Sequence, residues 1–166
     1  IKADAECLAC FSSIFEELKL KVETHVNNRK LLFSIIDSLK IENKKALIKE
    51  LDKLDKLGED AVKSNMRKYA DSNQILTLFK LLEKDLEFFV KTMFDGASEL
   101  KELIELLKSY GVKAKFNPTL ARGLSYYTGN IFEVRLEGKT QSIAGGGRYD
   151  NLVGKYVKRE IPAVGI

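Results

Sequence analysis

Two short stretches near the C-terminal end concentrate the residue types that can hold and polarise a small ligand. The first runs Arg122-Gly-Leu-Ser-Tyr-Tyr-Thr-Gly129 and the second Gly145-Gly-Gly-Arg-Tyr-Asp150. Arg122 and Arg148 each present a planar fork of donors suited to a carboxylate or a phosphate. Tyr126, Tyr127 and Tyr149 supply flat apolar walls tipped with hydroxyls, which hold a small ring by stacking and hydrogen bonding. Gly145, Gly146 and Gly147, read as lying at a strand end, let a ligand approach the backbone closely. Neither stretch has Walker-type spacing or a G-x-G-x-x-G following a strand, so neither is a standard nucleotide loop. A glycine-rich hairpin bearing tyrosines also suits a packed corner, and pattern alone does not separate the two.

Other reactive residues point to less. Cys7 and Cys10 have C-x-x-C spacing, but their segment reads as helix throughout. Residues three apart on a helix share a face, and free cysteine is commonly buried, so the pair reads as packing. Zinc would need two further ligands, and the chain has one histidine, His25; no metal site is expected. His25 falls on the polar face of a short strand without an identified nucleophile beside it, and is given no catalytic role. The lysines at 44, 45, 49, 53, 56, 63 and 68, with Arg67, could meet a phosphate backbone. Glu50, Asp52, Asp55, Glu59 and Asp60 nearly cancel them, which by itself describes a solvated helix surface.

The elements that must position these residues divide into two grammars. The 166 residues carry a net charge of +4, with 45% hydrophobic and 31% charged residues, a balance that excludes a disordered tail. Residues 111–166 hold nine Lys+Arg against four Asp+Glu, nine of the eleven glycines and both prolines; residues 1–110 hold 19 basic and 20 acidic residues. The first part should therefore be mostly helical. Leu8, Phe11, Ile14, Phe15 and Leu18 are spaced for one buried stripe over residues 4–18. Residues 21–26 alternate as a half-buried strand, and Asn27 or Asn28 can cap a helix through Leu39. From about 41, short amphipathic helices follow: 44–57 capped by Asn43 and stopped by Gly58, then 59–70, then one opened by Asp71 or Ser72. Phe88, Phe89, Val90, Met93 and Phe94 look dense enough to close a small helical core, and 98–110 forms a further helix. Strands follow at 112–116, 130–136 and 140–144, the last two joined by the turn Glu137-Gly-Lys139. No apolar run approaches the ~18–20 residues of a membrane helix. A cytoplasmic chain, cut from something longer, is the expectation.

The stretch Arg122-Gly-Leu-Ser-Tyr-Tyr-Thr-Gly-Asn-Ile-Phe-Glu133 resembles the first histidine motif of the histidyl-tRNA synthetases, which are class II aminoacyl-tRNA synthetases. Ala144-Gly-Gly-Gly-Arg-Tyr-Asp-Asn-Leu152 resembles the second, and Ile161-Pro-Ala-Val-Gly-Ile166 the opening of class II motif 3. Ala3-Asp-Ala-Glu6, the Val26-Asn-Asn-Arg29 strand end and Asp52-Lys-Leu-Asp-Lys-Leu-Gly58 resemble segments that follow motif 2. The resemblance covers the whole chain. It implies an α+β fold: part of an antiparallel-sheet catalytic domain from residues 1–40 and 97–166, with an all-helical insertion domain at 41–96. It implies a ligase that activates histidine with ATP, with Mg2+, and transfers it to tRNA(His). Arg122 would be the catalytic cation, against the histidine carboxylate and the α-phosphate. Tyr127 and Tyr149 would grip the imidazole, Tyr126 would shape the wall, and Gly145, Gly146 and Gly147 would line the floor; Arg148 and Gly165 are additional candidates. The insertion would contact tRNA, and the full-length enzyme would be a homodimer, although the dimer element, motif 1, is absent here. Motif 2 and the motif 3 arginine are also missing, and Ser125 stands where the family usually has an acid. A central fragment inactive by itself is the expectation. A histidine-binding regulatory subunit of histidine biosynthesis, without aminoacylation, is the alternative.

Overall fold

The computed structural model describes residues 1–122, 126–139 and 141–166. Helix α1 (Lys2–Glu17) leads into β1 (Val22–Asn28), where Thr24 and Val26 turn inward and Glu23 and His25 the other way, the alternation expected of a strand. The chain enters α2 (Arg29–Ser38) through Asn28, whose side chain accepts the Lys30 N–H at 2.8 Å.

The helical segment follows: α3 (Lys44–Leu51), α4 (Leu54–Leu57), α5 (Glu59–Met66), α6 (Ser72–Leu82) and α7 (Leu86–Lys91). Asn43 caps α3 and Asp71 opens α6 in a reciprocal capping box with Gln74. The single helix expected over 44–57 is instead two pieces broken at Asp52 and Lys53. Leu47, Ile48 and Leu51 are buried while Leu57 is exposed, so burial supports the first piece and not the second.

Helix α8 (Ala97–Ser109) begins at Gly96, whose φ of +80° is left-handed; a Cβ there would lie 2.8 Å from Leu31 N. Then come β2 (Ala114–Phe116), β3 (Asn130–Leu136), β4 (Ser142–Arg148), the single turn α9 (Gly154–Val157) and β5 (Val164–Gly165). The sheet order is β2-β1-β3-β4-β5. Pairing is antiparallel from β1 to β5, but β2 lies parallel to β1, because the connection through α8 returns the chain in the same direction. The antiparallel sheet that the resemblance implies is present from β1 through β3 and β4 to β5, and β2 adds a parallel edge strand to it.

Three further expectations change. The glycines 145–147 lie within β4 rather than after it, Ile131 pairing with Gly147 and Glu133 with Gly145; a run without side chains has no alternation to read. The apolar stripe of α1 is buried at Leu8, but Ile14 and Leu18 are exposed, as is Cys10. Of the apolar cluster after α6, Phe89 is fully buried and packs edge-on to Phe94 and Phe116, whereas Met93 faces outward. One core runs from Val26, Leu31 and Ile35 through Leu47, Ile48 and Leu51 to Leu100, Ile131 and Phe132.

Candidate functional site

Sheet alternation sets the site. On β4, Gly145 and Gly147 face one side, and Gly146 and Arg148 the other. The Arg122 guanidinium lies flat against Gly145: a Cβ there would overlap it, standing 2.8 Å from Nη2 and closer still to the rest of the group. The Tyr127 ring lies against Gly147, where a Cβ would come 2.9 Å from Cδ1 and 2.6 Å from the Asn130 carbonyl oxygen. The two glycines are thus the floor on which an arginine and a tyrosine rest. Gly146 points away, toward the Gly165 backbone.

The tyrosines form one aromatic run. Tyr126 and Tyr127 have ring centroids 4.6 Å apart, and Tyr126 stands edge-on to Tyr149 at 6.0 Å. The Tyr149 hydroxyl sits over Gly165, where a Cβ would come within 2.8 Å. Tyr127 is 6% exposed. Burial, then the Tyr126 hydroxyl, push its phenol up to about 12, with Arg122 opposing, so it is an uncharged donor across the physiological range.

Arg148 turns the opposite way. Its Nη2 meets Asp4 Oδ1 at 2.5 Å, its Nε meets Asp4 Oδ2 at 3.3 Å, and its Nη1 meets Asp150 Oδ1 at 2.9 Å. Asp4 is 0% exposed and also accepts from Asn130 Nδ2 at 2.8 Å. The structure therefore brings Arg122, Tyr127, Gly145 and Gly147 together on one face. It places Arg148 on the other, with its fork engaged by two carboxylates. The part of the first motif at 123–125, Ser125 included, lies outside the described residues.

Glu133, one strand from Gly145, joins the site face. Its Oε1 is 3.8 Å from Arg122 Nη1, and its Oε2 accepts from Arg135 Nε at 2.8 Å. Arg135 Nη2 reaches Asp55 of α4 at 2.5 Å. His25 pairs in register with Glu133; burial, then the charge of Arg135, hold its imidazole below the usual histidine range. A cleft of about 900 Å³ opens over this face, with Arg122, Glu133 and Arg135 on its floor and Lys49, Lys53 and Lys56 on the wall given by α3 and α4.

The residues that hold the 117–130 segment went unassigned in the sequence, beyond a capping role for Asn27 or Asn28. Asn27 Nδ2 donates to the carbonyls of Leu120 (2.9 Å) and Pro118 (3.2 Å), and Asn28 Nδ2 donates to Asn130 Oδ1 (2.9 Å). Arg29 Nη1 donates to the carbonyls of Arg122 (3.3 Å) and Ala121 (3.4 Å). Their available signal was three consecutive polar residues, Asn-Asn-Arg, ending a half-buried strand.

Comparisons with known proteins agree along the whole chain. The family model described as histidyl-tRNA synthetase matches residues 1–166. A histidine--tRNA ligase 1 of Bacillus cereus is 36% identical over 100% of this chain and 43% of its own length. A histidine--tRNA ligase of Nanoarchaeum equitans is 38% identical over 99% of this chain and 39% of its own. The crystal structure of histidyl-tRNA synthetase from a Nostoc species superposes with a TM-score of 0.89 at 30% identity, over 98% of this chain and 43% of that one. The chain thus spans about two-fifths of the length of the curated relatives it matches.

Proposed function

Because the chain belongs to the histidyl-tRNA synthetase family, we propose that it carries the histidine-binding part of a histidine--tRNA ligase active site. The complete protein would join histidine to ATP as histidyl-adenylate, releasing pyrophosphate, and pass the histidyl group to tRNA(His). The observation that carries this is the pairing of the Arg122 guanidinium on Gly145 with the Tyr127 ring on Gly147, on one face of the sheet.

In this reading Arg122 binds the histidine carboxylate and then the α-phosphate, where negative charge builds as the acyl–phosphate bond forms. A preorganised cation stabilises that charge more than solvent would, because it need not reorient as the charge develops. Tyr127 and Tyr149 hold the imidazole, and Tyr126 fixes both rings by packing between them. The protonated Tyr127 phenol donates to a ring nitrogen, which discriminates against apolar isosteres that leave it unpaired. Gly145 and Gly147 keep the floor flat under Arg122 and Tyr127, whereas Gly146, expected from the resemblance to line it too, backs onto the Gly165 backbone; Gly165 leaves room for the Tyr149 hydroxyl. Arg148 supports the strand through Asp4 rather than touching substrate.

ATP is a substrate and brings Mg2+ with its phosphates. Glu133, the carboxylate beside Arg122, is bound by Arg135 and suits an arginine clamp better than a cation site. Residues 1–40 and 97–166 make up part of the catalytic core, and residues 41–96 an insertion that contacts tRNA(His). The cleft beneath α3 and α4 carries Lys49, Lys53 and Lys56 but also Glu50, Asp52 and Asp55, so its charge is nearly balanced and the tRNA contact rests on the family rather than on this wall. A homodimer is the expected assembly of the complete protein, and the cytoplasm its compartment. No helix among the described residues is long and apolar enough to cross a membrane.

The test is histidine-dependent exchange of pyrophosphate into ATP by the full-length polypeptide, with charging of tRNA(His) as a second readout. Exchange that falls on the order of 100- to 1,000-fold in Arg122→Ala, to a residual rate still readable with enzyme in excess, supports the proposal. Histidine binding with neither exchange nor charging would overturn it in favour of a regulatory, histidine-sensing protein.

A further inference from the structure

Arg29 is 4% exposed, at the junction of β1 and α2, yet its guanidinium is directed at carbonyl oxygens rather than a carboxylate. Nη1 donates to the carbonyls of Ala121 and Arg122, and Phe33 covers the group with its ring centroid 5.2 Å from Cζ. Burial holds its pKa below the usual arginine value. A cation removed from water without a tight counter-charge is an expensive way to fill a core position. Its main-chain N–H is also committed, donating to the Gly129 carbonyl at 2.8 Å. One residue therefore grips the backbone at Arg122 and at Gly129, on either side of Tyr126 and Tyr127.

Arg122 needs such a grip. Arg122 has φ +36°, a left-handed conformation that a residue with a Cβ keeps only where its surroundings fix it. The carbonyl held by Arg29 belongs to that same residue. Released, Arg122 would relax toward ordinary backbone angles and carry its side chain off Gly145.

We infer that Arg29 is a positioning residue for the activation step: it touches no substrate, and acts by fixing the backbone of Arg122 so that the Arg122 guanidinium lies over Gly145. The inference rests on the synthetase function proposed above. The test compares wild type, Arg29→Lys, Arg122→Ala and the double variant of the full-length polypeptide. Exchange is followed with enzyme in excess, and folding by thermal melting. Lysine keeps the charge but loses the planar fork, and a displacement of about 1 Å in a catalytic group costs on the order of 100-fold, so Arg29→Lys should lower kcat about 10- to 100-fold. The KM for histidine should rise by less than kcat falls, because Arg122 meets the carboxylate in the ground state while the tyrosines keep their hold on the imidazole. In the Arg122→Ala background the same substitution should cost nothing more.

Wild-type exchange in Arg29→Lys overturns the inference, as does an equal loss in both backgrounds. Loss of a cooperative melt in Arg29→Lys also overturns it, making Arg29 a folding element. Failure of the synthetase function itself looks different: wild type without exchange, or Arg122→Ala that exchanges at the wild-type rate.

Discussion

Substituting Gly145 by alanine separates a functional glycine from a structural one. The added methyl would overlap the Arg122 guanidinium; even Nη2, at 2.8 Å, must retreat about 0.6 Å to reach ordinary contact near 3.4 Å, and Nη1 and Cζ must move further. What is displaced is the far end of a flexible side chain, so the fold can absorb the change. Alanine also lowers the entropy of the unfolded chain relative to glycine, and stability should stay within about 1 kcal/mol of wild type. Catalysis should not be so tolerant. A misplacement approaching 1 Å costs on the order of 100-fold, or about 2.7 kcal/mol of transition-state stabilisation. Gly146→Ala is the matched control: its methyl would strike the Gly165 backbone and come 2.6 Å from Ile166 Cα, so it should open the β4–β5 pairing and lower the melting temperature. Both variants would be assayed for histidine-dependent pyrophosphate exchange in the full-length polypeptide, alongside thermal melts. Gly145→Ala that folds normally and exchanges at the wild-type rate would refute the placement of Arg122. So would a Gly145→Ala protein destabilised as much as Gly146→Ala.

Tyr127→Phe should weaken histidine binding by about 1–3 kcal/mol, read by calorimetry, since an imidazole nitrogen loses its partner. The same variant should lose an alkaline limb of stability. With the folded phenol raised to about 12, the wild-type contribution is complete below about 10 and lost as pH rises toward 12, which urea melts at pH 9 and 11 would register. His25 titrates with the opposite consequence. Its folded value lies below the unfolded one near 6.5, so stability is full above that pH and falls as pH drops through the folded value; His25→Asn should flatten the decline in chemical melts between pH 7.5 and 5. Asp4→Ala leaves Arg148 without its buried partner and should cost about 3–5 kcal/mol in urea denaturation. The pair Asp4→Leu with Arg148→Met should recover much of that.

Local chemistry was legible wherever a single residue decides an outcome. Asn43 and Asp71 cap the helices they precede, Gly58 and Gly96 stand at breaks, and the alternation at 22–26 survives as β1. The approach of Arg122 and Tyr127 to the triple glycine followed from residue type and from the resemblance together. What stayed hidden depends on partners far along the chain. Arg148 reads as a ligand-binding fork until Asp4, 144 positions away, occupies it. Arg29 reads as one more basic residue opening a helix until the carbonyls of Ala121 and Arg122 arrive above it. The glycine run reads as a strand-end loop because backbone pairing with Ile131, Phe132 and Glu133, rather than side-chain pattern, makes it strand.

The pairing of β1 with β3 has a temporal consequence. Val22 pairs with Leu136 and Asn28 with Asn130, partners more than a hundred positions apart, with the helices from α2 to α8 between them. On a ribosome adding ~5–20 residues per second, β1 waits roughly 5–20 s for its neighbour. During that interval the intervening helices can form, in microseconds to milliseconds, and α8 can pack on α1 and β1 before β3 exists. β1 meanwhile presents an unpaired edge, with β2 arriving first and in parallel. Nascent-chain capture that releases only when Leu136 has cleared the exit tunnel is the signature this topology writes into synthesis.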